Sequence, residues 1–454
     1  MEKKSRIKSY GASPLRRIVA GFILIIIAGT LLLMLPAASA SGKSTDAATA
    51  AFTSVSATCV TGLVRVDTAL HWSFFGQAVI LSMIQLGGVG FMSVTVMLLS
   101  VIRHKVTLSE RLTLANSFGV GKIGGIMELV RKIVFGTLIF ELAGAVILSI
   151  RFIPKFGFFH GLWMSIFHSV SAFCNAGFDI LGNVGGEFSS MSALGEDPTV
   201  LLTLSALIVI GGIGFVVWND IYGKIRYGKR IGVYSRLVLT VTLSLMIIGT
   251  LGFFAAEHDN PQTLGGMSFG GKIVSSVFHS ATTRTAGFAA ADLGQTREIT
   301  KFMFLFLMFV GGSSGSTAGG IKTATLAVLA AAIISVMRGK RNTVIMKRTI
   351  PQETVRQALA LAMIQLSITL AAVSVLIGQG IPLMESLFEC VSASATVGLS
   401  LSVTPVLPIA SEICIMLLMF IGRLGILTLA YAMKRRASDS SANFEYASVD
   451  ISVG

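Results

Sequence analysis

The chain has 454 residues, of which 53% are hydrophobic and only 13% are charged, and its mean hydropathy is +0.80. This composition excludes an ordinary soluble domain, in which about a quarter of the residues are charged. A formal net charge of +14 is also found in nucleic-acid-binding proteins, but here the basic residues lie in short segments beside apolar stretches. The sequence therefore predicts an all-α integral membrane protein that contacts lipid and no nucleic acid.

Eight apolar stretches are long enough to be membrane spans, since a helix needs about 20 apolar residues to cross a core of about 30 Å. They lie near residues 15–36, 74–101, 133–153, 199–218, 237–256, 302–337, 357–378 and 411–433. The first is too long and too uniformly apolar for a signal peptide, so we interpret it as a retained helix.

The distribution of charge predicts the topology. Basic residues are concentrated at both ends of the chain and after spans two, four and six, whereas acidic residues cluster between spans three and four and after span five. Cytoplasmic segments carry the excess of Lys and Arg. We therefore expect a multi-pass protein of the bacterial plasma (inner) membrane with both termini in the cytoplasm.

A short apolar run that ends in a glycine lies between the two spans of each pair. The runs are Phe52 to Gly62, Phe167 to Gly177, Phe278 to Gly287 and Phe388 to Gly398, and their glycines lie 115, 110 and 111 residues apart. Such a period indicates internal repeats. Each unit is predicted to be helix, pore loop and helix, and the four units are expected to surround one central ion pore with pseudo-fourfold symmetry.

The repeats divide the chain into predicted segments. A cytoplasmic amino terminus, 1–14, precedes unit 1 (15–103), unit 2 (131–222), unit 3 (234–338, with a broken second helix) and unit 4 (354–433), and a cytoplasmic tail follows at 434–454. Further glycine motifs occur in the second spans, at residues 87–90, 211–214, 311–315 and 422–425. Close helix packing and a place beside the ion path are both open interpretations of these motifs.

The loop glycines point to ion chemistry. Non-helical backbone at membrane depth occurs where it lines a cavity, and glycine lets successive carbonyls turn to one side of the chain. Carbonyl oxygens can replace the water shell of a monovalent cation. The predicted K⁺ filter consists of Val60, Thr61, Gly62, Asn175, Ala176, Gly177, Thr285, Ala286, Gly287, Thr396, Val397 and Gly398.

The sixth apolar stretch cannot be one straight helix, because 302–337 would be about 54 Å long at 1.5 Å per residue. Its middle is a poor helix former and consists of Gly311, Gly312, Ser313, Ser314, Gly315, Ser316, Thr317, Ala318, Gly319 and Gly320. We expect this segment in the pore, just inside the filter; the alternative is a glycine-rich kink. The charges of Lys322 and Arg423 are expected to reach polar groups in the pore.

The repeat plan and the four loops, from about residue 15 to 433, resemble the Trk/Ktr/HKT superfamily of potassium transporters, in particular the membrane-spanning B subunits of Ktr systems. The resemblance implies potassium uptake, often sodium-stimulated, through a homodimer with one pore in each protomer. It implies that 311–320 is a gating loop opposed by Arg423. In some plant sodium carriers of this superfamily Ser replaces the first filter glycine, so Gly62 favours potassium.

The resemblance also implies a partner, a ring of cytosolic nucleotide-binding RCK subunits. The predicted docking surface consists of the basic segments 103–132, 222–236 and 338–356. These charges also follow the positive-inside rule, which by itself accounts for most of them.

Enzymatic chemistry and cofactors are not expected. Residues 315–323 nearly match a nucleotide-binding P-loop, but Ile321 separates Gly320 from Lys322. The four cysteines lack metal-ligand spacing, and we expect free thiols. Weaker polar candidates, for which we favour hydrogen bonding within the bundle, are Gln85, Glu141, His168, His279 and Glu389. The alternatives to potassium uptake are a sodium-preferring carrier of the same architecture and an alternating-access secondary transporter.

Overall fold

A computed structural model describes residues 14–90 and 126–426, and this part of the chain is predominantly helical, as predicted. The α-helices are α1 Pro14–Leu33, α2 Ala47–Cys59, α3 Thr68–His71, α4 Phe74–Val89, α5 Ile126–Phe156, α6 Phe158–Phe173, α7 Gly182–Gly185, α8 Pro198–Gly212, α9 Phe215–Tyr227, α10 Val233–Glu257, α11 Phe269–Thr282, α12 Glu298–Phe309, α13 Thr323–Met337, α14 Gln352–Gly378, α15 Leu383–Ala395 and α16 Ile409–Leu424. Strands β1 Val344–Ile345 and β2 Arg348–Thr349 form an antiparallel hairpin between α13 and α14.

Four helices in the described residues are long and apolar enough to cross a membrane by themselves: α1, α5, α10 and α14. They coincide with the predicted first span of each unit. Between 28% and 33% of their most apolar windows is buried inside the protein. Most of their surface therefore faces outward, as expected for helices with lipid on one side.

The second helices are shorter than predicted. Helices α4 and α16 have 16 residues each and α8 has 15, so each is about 24 Å long or less at 1.5 Å per residue. The prediction of one helix over 199–218 is wrong, because α8 ends at Gly212 and α9 leaves it at an angle of 99°. The eighth span was predicted to reach 433, but α16 ends at Leu424. Residues 91–101 and 427–433 of the predicted spans lie outside the described residues.

A glycine with positive φ accounts for each of these ends. The φ angles are 88° at Gly90, 94° at Gly214 and 80° at Gly425. Because glycine lacks a Cβ, it adopts this conformation without the steric cost that other residues meet, and the helix stops there. In unit 3 the two halves are farther apart, since α12 ends at Phe309 and α13 begins at Thr323.

The short helices α2, α6, α11 and α15 have 13 to 16 residues and lie in the interior. Each carries the phenylalanine that begins its sequence motif, and all four rings are at most 1% exposed: Phe52, Phe167, Phe278 and Phe388. Side chains cap two of the helices, since Asp46 accepts a hydrogen bond from the Thr49 amide and Ser268 from the Gly271 amide.

The helices contact one another in a closed cycle. Each short helix packs on the long helix of its own unit and on the second helix of the preceding unit. The contacts between units are α4 with α6, α8 with α11, α12 with α15, and α16 with α2. The last contact joins unit 4 to unit 1, so the carboxyl ends of the short helices are enclosed by the other helices.

The first glycines of the second motifs allow this packing. A Cβ atom placed on Gly87, Gly211 or Gly422 would lie 2.1, 2.0 or 2.2 Å from the carbonyl oxygen of Thr58, Phe173 or Ser394, respectively. These distances are too short for any side chain. Close packing, one of the two open interpretations, therefore explains these three glycines.

Candidate cation site

The four glycine loops share one backbone conformation. The φ angle is positive at each glycine and at the residue two positions before it: Val60 (57°), Asn175 (59°), Thr285 (69°) and Thr396 (52°). Non-glycine residues seldom adopt positive φ. The residue between the two has negative φ. This alternation of positive and negative φ turns successive carbonyls toward the same side of the chain.

The four loops meet one another. A Cβ atom placed on Gly62, Gly177, Gly287 or Gly398 would lie 2.5, 2.7, 2.6 or 2.0 Å from the carbonyl oxygen of Ala176, Ala286, Val397 or Thr61, respectively. Each of these carbonyls belongs to the residue before the next unit's glycine, and the last contact closes the cycle. Glycine is therefore required both by its φ angle and by the close approach of the neighbouring loop.

The short helices hold the loops in place. The amides of Thr61, Ala176, Ala286 and Val397 donate to the carbonyls of Ser56, Ser171, Thr282 and Ser392 at 2.9, 2.8, 2.9 and 2.7 Å. Two hydroxyls, of Ser56 and Ser392, accept from the glycine amides of their loops at 3.1 and 3.0 Å. Two others, of Ser171 and Thr282, donate to the carbonyls of Phe178 and Phe288, both at 2.7 Å. The loops are thus fixed by their amides and by the carbonyls that follow two of the glycines, and not by the carbonyls of the residues that precede the glycines.

The carbonyls between the two positive-φ residues have no hydrogen-bond donor among the described residues. These carbonyls belong to Thr61, Ala176, Ala286 and Val397. The buried hydroxyls of Thr61, Thr285 and Thr396 also lack a described partner. Because most buried polar groups are paired, such a concentration of free oxygens calls for another partner. A partly dehydrated monovalent cation has that chemistry.

A cavity of about 320 Å³ opens beside the loops and is lined by all four glycines and by Asp67 and Asp179. Asp67 accepts hydrogen bonds from the amides of Ala69 and Leu70. Burial raises the pKa of Asp179 to about 6, and the charge of Asp67 acts in the same direction. The sequence argument counted Asp179 only among the acidic residues of an outer segment and did not consider Asp67, because the distance of either residue from the loop glycines cannot be read from the sequence.

The 310–322 segment, which links α12 to α13, fills the break between α8 and α9. The Ser313 amide donates to the Gly212 carbonyl at 3.0 Å, and the Phe215 amide donates to the Gly315 carbonyl at 2.8 Å. Lys322 Nζ donates back into the segment, to the carbonyls of Ala318 at 2.9 Å and Gly319 at 3.3 Å. The segment is therefore ordered by hydrogen bonds although it is not helical.

Arg423 touches this segment from unit 4. Its guanidinium donates to the carbonyl of Thr317 and to the carbonyls of Gly87 and Gly88 at the end of α4. One side chain thus links the 310–322 segment to the second helices of units 1 and 4. These partners are polar backbone groups, and the expected place of Arg423 in a pore stays a prediction.

Internal hydrogen bonds also occupy the weaker polar candidates. Glu141 accepts from Gln85 at 3.1 Å, Glu389 accepts from Ser400 at 2.8 Å and from Thr404, and the Nδ1 atoms of His168 and His279 lie 2.7 and 2.9 Å from the carbonyls of Met164 and Ser275. The sequence argument missed Arg284, which is 5% exposed and donates to the Gly311 carbonyl at 3.2 Å. A lone charge in an otherwise neutral loop was the available signal.

Comparison with known proteins identifies the family. The TrkH family model, described as a cation transport protein, matches residues 2–446. The chain belongs to the TrkH family. It is 39% identical to the potassium/sodium uptake protein NtpJ of Enterococcus hirae over 447 residues, 97% of each chain, and 39% identical to the Ktr system potassium uptake protein B of Bacillus subtilis over 455 residues, 100% of each chain.

A solved structure supports the fold. The crystal structure of the potassium transporter TrkH from Vibrio parahaemolyticus matches with a TM-score of 0.72 at 16% identity, over 96% of this chain and 87% of that one. The predicted resemblance is confirmed. This TrkH-family chain is a cation uptake transporter of the Ktr/Trk type, involved in potassium transport, and not an enzyme.

The raised pKa of Asp179 predicts a pH-dependent affinity for K⁺. The carboxyl is ionised at pH 7.5 and mostly protonated at pH 5, so its attraction for cations is lost on acidification. One unit charge in a wet cavity is worth about 0.5–1 kcal/mol, or about two- to fivefold in affinity. We expect the KM of K⁺ influx to rise by about that factor between pH 7.5 and pH 5, and Asp179→Asn to have the high KM at both pH values.

Asp259→Asn provides the control, because it removes a carboxylate that ion-pairs with Arg297 and does not line the cavity. It should retain the pH dependence. A wild-type KM that is equal at both pH values would contradict an effect of the Asp179 charge on K⁺ affinity.

Proposed function

We propose that the chain takes up potassium across the bacterial plasma membrane, and that the four glycine loops form one selectivity filter around a central pore with pseudo-fourfold symmetry. The observation that carries this proposal is the set of unpartnered carbonyls of Thr61, Ala176, Ala286 and Val397, which lie beside glycines that contact one another in a closed cycle. We further propose that both termini are cytoplasmic and that the transporter is a homodimer with one such pore in each protomer.

Sodium is the second candidate ion. The Enterococcus hirae relative carries both potassium and sodium in its name, and a filter with one glycine in each loop offers few carbonyl layers. Potassium is favoured because larger monovalent cations lose their hydration shells more readily. Sodium then acts as a stimulator of uptake rather than as the main transported ion.

Gly62→Ser should reduce discrimination between potassium and sodium. A Cβ atom at this position would lie 2.5 Å from the Ala176 carbonyl oxygen. The serine would also have to adopt the φ of 96° that the loop requires here, which is unfavourable for a residue with a side chain. The displaced carbonyls would then fit K⁺ less well. We expect the ratio of the half-inhibitory Na⁺ and K⁺ concentrations, measured by competition with rubidium uptake in proteoliposomes, to fall by about tenfold, equivalent to about 1.4 kcal/mol.

Gly42→Ser is the matched control, because Gly42 also has a positive φ of 69° but has open space around its Cβ direction. It should leave the ratio unchanged. Equal ratios in Gly62→Ser and the wild type would contradict the filter assignment. Saturating uptake of sodium but not of rubidium by the wild type would instead favour the sodium carrier.

We also propose that the 310–322 segment is a gate just inside the filter, and that hydrogen bonds from Arg423 and Lys322 hold it closed. Three groups support this role. The segment contacts unit 2 at the α8–α9 break, and Arg423 connects it to units 1 and 4. The ammonium group of Lys322 donates to carbonyls of the segment. A non-helical segment held by few side chains can move without unfolding a helix. Such a segment favours a gated channel over rocking of whole helix bundles.

Arg423→Ala should weaken the gate. The substitution removes the guanidinium that binds the Thr317, Gly87 and Gly88 carbonyls. We expect the maximum rubidium flux per properly inserted protein to rise by about three- to tenfold, corresponding to about 0.7–1.4 kcal/mol of lost closed-state stabilisation. Arg423→Lys should give an intermediate flux, because a lysine keeps the charge but lacks the planar fork of donors.

Arg151→Ala is the control for loss of a guanidinium, since Arg151 pairs with Asp197 and does not contact the segment. Its flux should equal that of the wild type. A flux for Arg423→Ala at or below the wild-type value, with a monodisperse protein at equal density in the vesicles, would count against the gate.

A cytosolic ring of nucleotide-binding RCK subunits is the partner that we propose. The Bacillus subtilis relative is named as protein B of a Ktr system, which fits a membrane subunit with a separate regulator. Part of the proposed docking surface, residues 103–125, lies outside the described residues. In the described part, Lys340, Arg341, Lys347 and Arg348 are exposed around the hairpin of β1 and β2.

Neutralising these four residues to Gln should release the ring. Exposed charge pairs are screened over about 8 Å at physiological ionic strength, so binding of an acidic ring should also be weaker in high salt. We expect at least a fivefold loss of the co-purified RCK subunit at moderate salt. A control with Arg151 and Lys155 changed to Gln, at the opposite end of the spans, should retain the ring. Full retention by the fourfold variant in high salt would exclude this surface.

A further inference from the structure

The loop of unit 2 is joined to the 310–322 segment through the side chain of Asn175. Asn175 Oδ1 accepts a hydrogen bond from the Thr317 hydroxyl at 2.8 Å, and Asn175 Nδ2 donates to the carbonyl of Arg284 at 3.3 Å. The residue is 1% exposed and has a φ of 59°. Its backbone therefore belongs to a glycine loop, while its side chain contacts the segment that lies inside those loops.

A second link comes from the loop of unit 3. Arg284, 5% exposed, donates from Nη2 to the carbonyl of Gly311 at 3.2 Å. Arg284 directly precedes Thr285, the positive-φ residue of its own loop. Two adjacent loops thus contact the segment, one near its beginning and one near its middle, and Asn175 also connects these loops to each other.

Thr317 is the point where both sides of the segment are held. Its hydroxyl lies between Asn175 Oδ1 and the Phe173 carbonyl, at 2.8 and 3.2 Å, and its carbonyl accepts from Arg423. Thr317 therefore connects Asn175 of one glycine loop with Arg423 of unit 4. The corresponding positions of the other loops carry Val60, Thr285 and Thr396, none of which has a carboxamide.

We propose that Asn175 and Thr317 couple the occupancy of the filter to the position of the gate. A bound cation fixes the left-handed conformation at Asn175, and the fixed side chain holds Thr317 and with it the segment. By linkage, opening of the gate weakens cation binding in the filter by the same factor. The inference rests on the proposed filter and gate, and it assigns Asn175 a positioning role beyond its carbonyl.

The test uses a thiol reporter in the segment. Ser314 is half-buried, whereas Cys59, Cys174 and Cys390 are buried. The full-length protein carrying Ser314→Cys and Cys414→Ser is purified in detergent, and its rate of modification by a maleimide is measured in potassium chloride and in choline chloride at equal ionic strength. We expect K⁺ to slow the modification by about fivefold, the lower end of usual coupling. Isothermal titration of the same variants in choline chloride with K⁺ reports filter binding independently.

Thr317→Val in the reporter protein should abolish the K⁺ dependence, because valine has the shape of threonine without its hydroxyl. Thr323→Val is the matched control: the Thr323 hydroxyl bonds to Ser313 within the segment at 2.8 Å and does not contact a loop. It should retain the K⁺ dependence even if its basal rate changes.

The outcomes separate the two levels of the proposal. If the titration shows K⁺ binding but the maleimide modification rate of the reporter protein does not depend on K⁺, the proposed coupling is wrong and the proposed filter stands. The same K⁺ dependence in Thr317→Val as in the reporter protein would also overturn it. Absence of K⁺ binding in every sample would instead refute the proposed filter.

Discussion

Inside an apolar environment each backbone carbonyl needs a partner, and the described structure is organised by the few places where the helix does not supply one. At the α8–α9 break, the amides of Ser313 and Thr317 donate hydrogen bonds to the carbonyls of Gly212 and Gly211, respectively. At the end of α4, the Arg423 guanidinium donates hydrogen bonds to the carbonyls of Gly87 and Gly88. In the four glycine loops, the amides of Thr61, Ala176, Ala286 and Val397 are paired, while their carbonyls have no donor among the described residues. The same requirement that closes the breaks thus leaves one set of oxygens for a transported ion.

Glycine serves this arrangement in two physically different ways. At Gly87, Gly211 and Gly422 the missing Cβ allows a helix to touch a carbonyl of the neighbouring short helix, and the backbone is helical. At Gly62 and its counterparts, close approach is combined with a positive φ, so that both side-chain volume and backbone conformation exclude other residues. Substitutions at the first group should therefore disturb helix packing, and those at the second should move the carbonyls themselves.

Much of the helical plan was predictable from the sequence because hydropathy and repeat spacing are local or periodic signals. The long first helices and the positions of the four loops were predicted in this way, whereas a polar partner for Arg423 was expected because a charge at membrane depth does not face lipid. The break after Gly212 was not, because 199–218 is continuously apolar and the stop depends on a φ of 94° at Gly214. The links from Asn175 to Thr317 and from Arg284 to Gly311 join residues 142 and 27 positions apart. No local pattern encodes such partners.

Unit 3 differs from the other units in the length of the break in its second helix, and this difference lets the proposed gate extend to the other units. In units 1, 2 and 4 the second helix ends at a glycine, but in unit 3 thirteen residues, 310–322, separate its two halves. That longer segment contacts the α8–α9 break of unit 2, approaches Thr396 of unit 4 through Gly319, and is connected through Arg423 to the α4 end of unit 1. Four identical short loops would each contact only their neighbours. The single elongated segment of unit 3 contacts units 2 and 4 directly and is connected to unit 1 through Arg423, so its displacement would disturb hydrogen bonds in every unit.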